Sequence, residues 1–313
     1  MPSDAAGPVR LALVGAGRMG RMHLRALADP ATRLVDPAAV QVVSVVDPVP
    51  AVRAELRATG YHVHGDLDRV LDGPGRAEGI LVAAPTDRHA GIVQAALAAG
   101  LPVLCEKPAG VSAAEVAQTA QAARDGGVLL QVAYWRRFVP ELVALHERIV
   151  AGEFGELLHL VCSQWDGAPP PPGFRHSSGG IFVDMGVHEF DQLRWLTGQE
   201  IADVRSAALP ALDPAARPDA DGGQALLTLA GGTTAAVSLG RYFPGGDWVG
   251  VEVFGSRGHE RLTVLDPRAG ELPQRKALAR QAEAFARAIR GGTPAGARIE
   301  DALAALDAAQ RCH

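Results

Sequence analysis

Asparagine and lysine are the conspicuous shortages of this 313-residue chain. Asparagine does not occur, and only two of the 30 basic residues are lysines, Lys107 and Lys276. A GC-rich codon bias accounts for that background. Against it, a lysine marks a position where lysine chemistry is wanted, because arginine keeps its proton near neutral pH and lysine can release it. Cysteine is scarce as well: Cys105, Cys162 and Cys312 are odd in number and widely spaced. That pattern excludes a disulfide framework and favours a reducing cytoplasm. No apolar run reaches the length of about 18 residues that a membrane span needs. The opening MPSDAAGPVRLALVGAG has no basic stretch followed by a long apolar one, so no secretory leader is expected. Like charges do not cluster. A net charge of −5 gives no electrostatic footprint for nucleic acid.

What is present is ordinary globular composition, 48% hydrophobic and 21% charged. At about 150 residues per domain, the length suits two domains. The first third alternates short apolar strands (Val9–Val14, Val42–Val46, Gly79–Ala83, Pro102–Cys105, Val128–Ala133) with helical patterns such as Arg18–Ala28, Arg88–Ala99 and Ala113–Arg124. That alternation predicts an α/β domain with a parallel sheet wrapped by helices. Beyond it, consecutive strand patterns follow a helix at about Gly186–Thr197. They predict an α+β domain with a largely antiparallel open sheet, closed by helices at about Ala277–Arg290 and Ile299–Arg311. The expected division is 1–132 for a dinucleotide-binding domain and 133–313 for a substrate-binding and oligomerisation domain.

Gly15-Ala-Gly17-Arg-Met-Gly20 follows the first strand and opens the first helix, the context that a GxGxxG pattern requires. Gly15 permits the tight turn, Gly17 lets backbone approach a pyrophosphate, and Gly20 allows close helix–sheet packing. The second strand ends at Asp47, whose carboxylate can accept ribose hydroxyls and repel a 2′-phosphate, so NAD is expected over NADP. The interval from Gly20 to Asp47 is long, and an insert at Asp29–Ala39 accounts for it. Thr86, after the strand that ends at Ala84-Pro85, is the expected polar contact at the cofactor edge. Asp87 reads as a helix cap.

Lys107 lies in Cys105-Glu106-Lys107-Pro108, directly after a strand of the same sheet, which sets its amine at the rim where the nicotinamide is expected. Glu106 either partners the lysine or holds the loop; Pro108 is a candidate for a cis bond. Asp184 and His188 stand four apart, on one face of a helix. An imidazole suits a general acid or base, and the alternative for His188 is a satisfied core histidine. Asp184 caps the helix, binds ligand, or does both. Asp and His at this spacing also suit a metal, but no third ligand is evident, so no metal is expected. Glu189 and Asp191 read as structural.

These elements carry a resemblance. The glycine loop, Ala83–His89 (AAPTDRH), Glu106–Pro108 (EKP) and the GG…DxGxHxxD pattern of Gly179–Asp191 resemble the Gfo/Idh/MocA oxidoreductase family over nearly the whole chain. The YWRRF segment, Tyr134–Phe138, is most similar to inositol and cyclitol dehydrogenases. The resemblance implies a catalytic set of Lys107, Asp184 and His188. It implies that Gly15, Gly17, Arg18, Met19, Gly20, Asp47, Ala84, Pro85, Thr86, His89, Glu106 and Lys107 border NAD. It also implies substrate contacts at Gln164, Trp165, Asp166 and Arg175, beside Lys107, Asp184 and His188. Gln164 and Asp166 stand where some inositol dehydrogenases use histidine and asparagine, and the four-proline loop at Pro169–Pro172 is atypical. Asp166 could pair with an amine.

The expected reaction is NAD-dependent oxidation of a secondary alcohol of a cyclitol, or its reverse. A sugar dehydrogenase or ketosugar reductase is the alternative enzyme. A non-catalytic dinucleotide-binding regulator is the alternative of another class. The resemblance further implies a homodimer or homotetramer built on the second domain's sheet.

Overall fold

The computed structural model describes residues 7–32, 39–71 and 77–312. The insert expected at Asp29–Ala39 falls partly on 33–38, outside the described residues. In chain order the first elements are β1 (Val9–Val14), α1 (Arg18–Ala28), β2 (Val40–Val46), α2 (Pro50–Ala58), β3 (Val63–His64), α3 (Asp68–Leu71), β4 (Gly79–Val82), α4 (Thr86–Ala98), β5 (Val103–Cys105), α5 (Ala113–Gly126) and β6 (Leu130–Val132). There follow α6 (Pro140–Val150), β7 (Leu157–Trp165), α7 (Pro172–Ser177), a π-helical turn at Phe182–Gly186, and α8 (Val187–Thr197). The chain continues through β8 (Ile201–Pro210), β9 (Ala220–Leu229), β10 (Thr234–Gly240), β11 (Trp248–Gly255) and β12 (His259–Leu265). It then adds α9 (Leu272–Ile289), β13 (Ala297–Arg298) and α10 (Ile299–Gln310).

Two compact units result: Met1–Ala133 with Arg275–Glu300, and Tyr134–Gln274 with Asp301–His313. The first holds a seven-stranded sheet in the order β13-β6-β5-β4-β1-β2-β3. Its strands are parallel except β13, which runs antiparallel to β6. Chain order reverses between β1 and β4, the switch point at which open α/β sheets bind ligands beyond the strand ends. Leu11, Leu13, Val45, Leu81 and Leu104 form the core. Helix ends follow local chemistry: the Ser112 hydroxyl accepts the Glu115 N–H and Gly127, at φ +60°, closes α5.

A single division at 132/133 requires correction. Phe285 and Ala286 of α9 belong to the first unit's core, and a Cβ on Gly79 would lie 2.8 Å from Ile289 Cδ1. The apolar face of this late helix matches β4, and β13 completes the sheet edge. Residues 275–300 therefore leave the expected 133–313 domain for the first unit.

The second unit holds a six-stranded sheet, β12-β11-β7-β10-β9-β8, antiparallel except for the β7–β10 pair. Strand alternation gives it two unlike faces. Leu160 and Cys162 of β7 are buried on the face carrying α8, whose Gln192 amide donates to Cys162 Sγ at 3.3 Å. The opposite face carries Ser163, Trp165 and Ser238, with the more exposed Leu209, Leu226 and Phe254.

Candidate active site

The three glycines of the loop stand in unlike steric settings. Gly15 has φ +93°, and a Cβ there would sit 2.6 Å from the Ala84 backbone. On Gly20 it would lie 2.0 Å from the Gly15 carbonyl oxygen, so α1 can pack on the loop only without a side chain. On Gly17 a Cβ would meet nothing within 4 Å. That opening adjoins the α1 N-terminus, which no side chain caps, so the N–H groups of Arg18, Met19 and Gly20 suit an anionic pyrophosphate. Asp47 is pinned from both sides. Its Oδ2 accepts the Ala16 N–H and its Oδ1 accepts the Val49 N–H, each at 2.9 Å. Carboxylate oxygens accept more than one bond, so ribose hydroxyls can still be taken. An open backbone cradle and a fixed carboxylate fit a dinucleotide.

The edge of β4 and the lysine turn are knit together within the first unit. His89 is buried; its Nδ1 lies 2.8 Å from the Pro108 carbonyl and its Nε2 2.7 Å from the Ala84 carbonyl. Burial holds its imidazole below the ordinary range, with the two carbonyls opposing. His89, expected to border the cofactor, is instead a strut between these two backbone segments. Glu106 is also turned inward, its Oε1 2.7 Å from His23 Nε2, and its Oε2 accepts the Lys107 N–H at 3.3 Å. Glu106 thus holds the loop, one of its two expected roles. Lys107 itself is half-buried, and the Lys107–Pro108 bond is cis. Thr86 begins α4 and is half-buried; neither it nor Asp87 caps that helix through its side chain.

In the second unit, Asp184 lies in the π-helical turn and His188 in the first turn of α8. No side chain caps that helix, so Asp184 does not act as its cap. Its Oδ2 instead accepts from Arg241 Nη1 at 3.1 Å. Arg241 is fully buried, lies 3.0 Å from Asp219 through Nη2, and donates from Nε to the Ala220 carbonyl. His188 is buried, with the rings of Tyr134 and Trp135 packed edge-on at 5.8 and 6.4 Å. The two arginines of YWRRF fix α8: Arg136 pairs with Glu189 at 2.6 Å, and Arg137 grips both oxygens of Asp191. Burial pushes the carboxyls of Glu189 and Asp191 up, opposed by these guanidinium charges.

Two expected substrate contacts need correction. Arg175 is buried and tied to Asp219 at 2.6 Å and Asp221 at 2.8 Å, so it anchors α7 to β9 rather than facing ligand. Trp165 lies on the opposite face of β7 from Gln164, because neighbouring strand residues alternate. Its ring covers Gly240, where a Cβ would come within 2.1 Å, and its indole N–H donates to Ser238. Gln164 and Asp166 do come together. Arg136 donates to Gln164 Oε1 at 2.7 Å, and Gln164 Nε2 donates to Asp166 Oδ1 at 3.1 Å. Sequence reasoning missed Arg241, Asp219 and Arg136. The available signal was charge placed beside apolar strand and helix patterns.

Comparison with known families matches residues 9–134 to the oxidoreductase family with an NAD-binding Rossmann fold. Residues 142–260 match the GFO/IDH/MocA C-terminal domain. The rhizopine catabolism protein MocA of Rhizobium meliloti is 45% identical over 305 residues, 96% of this chain and 93% of that protein. The chain belongs to the Gfo/Idh/MocA oxidoreductase family. Within this family it is also 30% identical to the inositol 2-dehydrogenase of Rhizobium meliloti strain 1021, covering 97% of this chain and 96% of that one. Among solved Gfo/Idh/MocA structures, it matches a scyllo-inositol dehydrogenase from Lactobacillus casei with bound NAD(H) and scyllo-inositol. That match has a TM-score of 0.82 and 25% identity, over 97% of this chain and 96% of that one. The first unit is thus the NAD-binding domain of a Gfo/Idh/MocA oxidoreductase, in accord with its glycine cradle and Asp47. Among the described residues no three His, Cys, Asp or Glu side chains group to hold a metal, and no helix is long and apolar enough to cross a membrane.

Proposed function

We propose that this oxidoreductase oxidises a secondary alcohol of a cyclitol, an inositol or aminocyclitol, to the ketone with NAD, or runs the reverse. The observation that carries the reading is Asp184, held by buried Arg241 one turn before His188. Relatives of this chain bear the names of inositol dehydrogenases. NAD, when bound, takes up the hydride. The protein's own groups manage the hydroxyl. His188 is assigned the role of proton acceptor, Lys107 that of a donor that stabilises growing negative charge on oxygen, and Asp184 that of a hydroxyl ligand.

Gln164 and Asp166 supply the polar side of the substrate contact. The amide of Gln164 is fixed in orientation, oxygen toward Arg136 and nitrogen toward Asp166. Asp166 therefore offers anionic acceptors suited to a ring amine. The test is NADH formation, read by near-ultraviolet absorbance at mildly alkaline pH, with myo-inositol, scyllo-inositol, an aminocyclitol, glucose and xylose, each with NAD and NADP. Turnover of a cyclitol with NAD is expected, and Asp166→Asn should weaken an amine substrate selectively. Turnover confined to an aldose would refute the cyclitol reading.

The second unit's sheet face carries exposed Leu209 (59%), Leu226 (64%) and Phe254 (36%) among polar neighbours. We assign this face to a second copy of the chain, giving a homodimer or homotetramer. Sedimentation should show an oligomer that Leu226→Arg shifts toward monomer. A monomeric parent protein would refute the assignment. Cys105 and Cys162 are buried and free, and burial pushes both thiols up, which suits inert cysteines in the reducing cytoplasm we propose.

A further inference from the structure

The end of β2 carries a cation as well as the Asp47 carboxylate. Arg53, one turn into α2, reaches back so that Nη1 donates to the main-chain carbonyls of Asp47 at 3.0 Å and Pro48 at 2.6 Å. The guanidinium is also set against the turn after β3. A Cβ on Gly65 would lie 3.6 Å from its Cζ, ordinary contact distance. These bonds go to carbonyls, not to a carboxylate, so they do not neutralise its charge. A guanidinium has five N–H donors; two face these carbonyls and three remain.

Asp47 opposes this cation's use by any phosphate. Its two carboxylate oxygens are each held by a backbone N–H, so the carboxylate cannot swing aside for an incoming anion. A phosphate on the adenosine 2′-oxygen would meet that fixed negative charge where the ribose hydroxyls of NAD would instead donate hydrogen bonds. Arginine is the side chain best shaped to grip phosphate, through parallel N–H donors.

We propose that Arg53 is a latent ligand for an adenosine 2′-phosphate, masked in this chain by the Asp47 carboxylate. The chain thus already contains the cationic half of an NADP site, masked by one carboxylate. The proposal rests on dinucleotide binding by the first unit and is independent of which alcohol is oxidised.

Isothermal titration of the full chain with NAD+ and with NADP+, without substrate, tests it. In Asp47→Ser the NADP+ Kd is expected to fall at least tenfold from the parent value, while the NAD+ Kd rises. In Asp47→Ser/Arg53→Gln that gain for NADP+ should disappear. Asp47→Asn keeps the side-chain shape without its charge and serves where the serine variant fails to fold. It should show the same direction of change. An unchanged NADP+ Kd in folded, NAD+-binding Asp47 variants would overturn the proposal. So would a gain that survives Arg53→Gln, because the phosphate ligand would then lie elsewhere. Binding of neither dinucleotide by the parent chain would instead remove the cofactor reading beneath it.

Discussion

Lys107→Met is expected to reduce turnover by about 10²–10⁴-fold, the range for loss of a positioned proton donor or acceptor. NAD affinity should stay within a few fold of the parent. The asymmetry follows from what holds the residue. The Lys107 backbone is fixed by its bond to Glu106, which is fixed in turn by His23, and the next carbonyl is met by His89. Methionine keeps an unbranched stem and leaves those supports alone; what it removes is the ammonium. His188→Gln should lose turnover on the same scale, with Tyr134 and Trp135 still flanking the position. Steady-state rates with a saturating cyclitol, set beside NAD+ titrations, check this. Turnover within threefold of the parent in either single variant would sink the assignment.

The second large effect is one of stability. Arg241→Met should destabilise the second unit by about 3–5 kcal/mol, the cost of removing one partner from a buried ion pair. Arg241 faces Asp184 at 3.1 Å and Asp219 at 3.0 Å while wholly shut off from solvent. Methionine would leave these carboxylates without their shared cation. Arg175 would still hold Asp219, but Asp184 would lose the contact that orients it. Arg241→Lys keeps the charge and gives up the planar fork, so it should fold yet turn over more slowly. Urea unfolding followed by tryptophan fluorescence, with turnover measured on the lysine variant, separates the two contributions. A methionine variant as stable as the parent would show that the buried cluster is not electrostatically coupled.

Local pattern was what the sequence displayed best. The glycine loop, the acid at the end of β2 and the strand–helix alternation each lie within a short window, where spacing alone carries the geometry. Lys107 was legible for a compositional reason, lysine being rare here. The misread residues share a different cause. Arg175 looked available for ligand because its partners, Asp219 and Asp221, lie more than forty residues away. Asp184 suggests a helix cap because Arg241, which holds its carboxylate, follows a strand far downstream. Trp165 is a different case, since period-two alternation already separates it from Gln164, and that rule outranks their adjacency. The return of residues 275–300 was illegible because an amphipathic helix displays an apolar face without naming the sheet it will cover.

That return has a consequence for synthesis on the ribosome. Domains ordinarily fold as units, amino-terminal first, while the rest of the chain is still being made. Here Phe285 belongs in the first unit's core and β13 closes its sheet edge, yet residues 134–274 must be translated before either exists. Until then the nascent first domain carries an uncovered apolar patch over β4 and an unpaired β6 edge. The second unit's sheet, by contrast, is complete once β12 emerges. The domain that begins first is thus finished after the other's sheet, and the interval between them is when nascent chains are most open to chaperones or to one another.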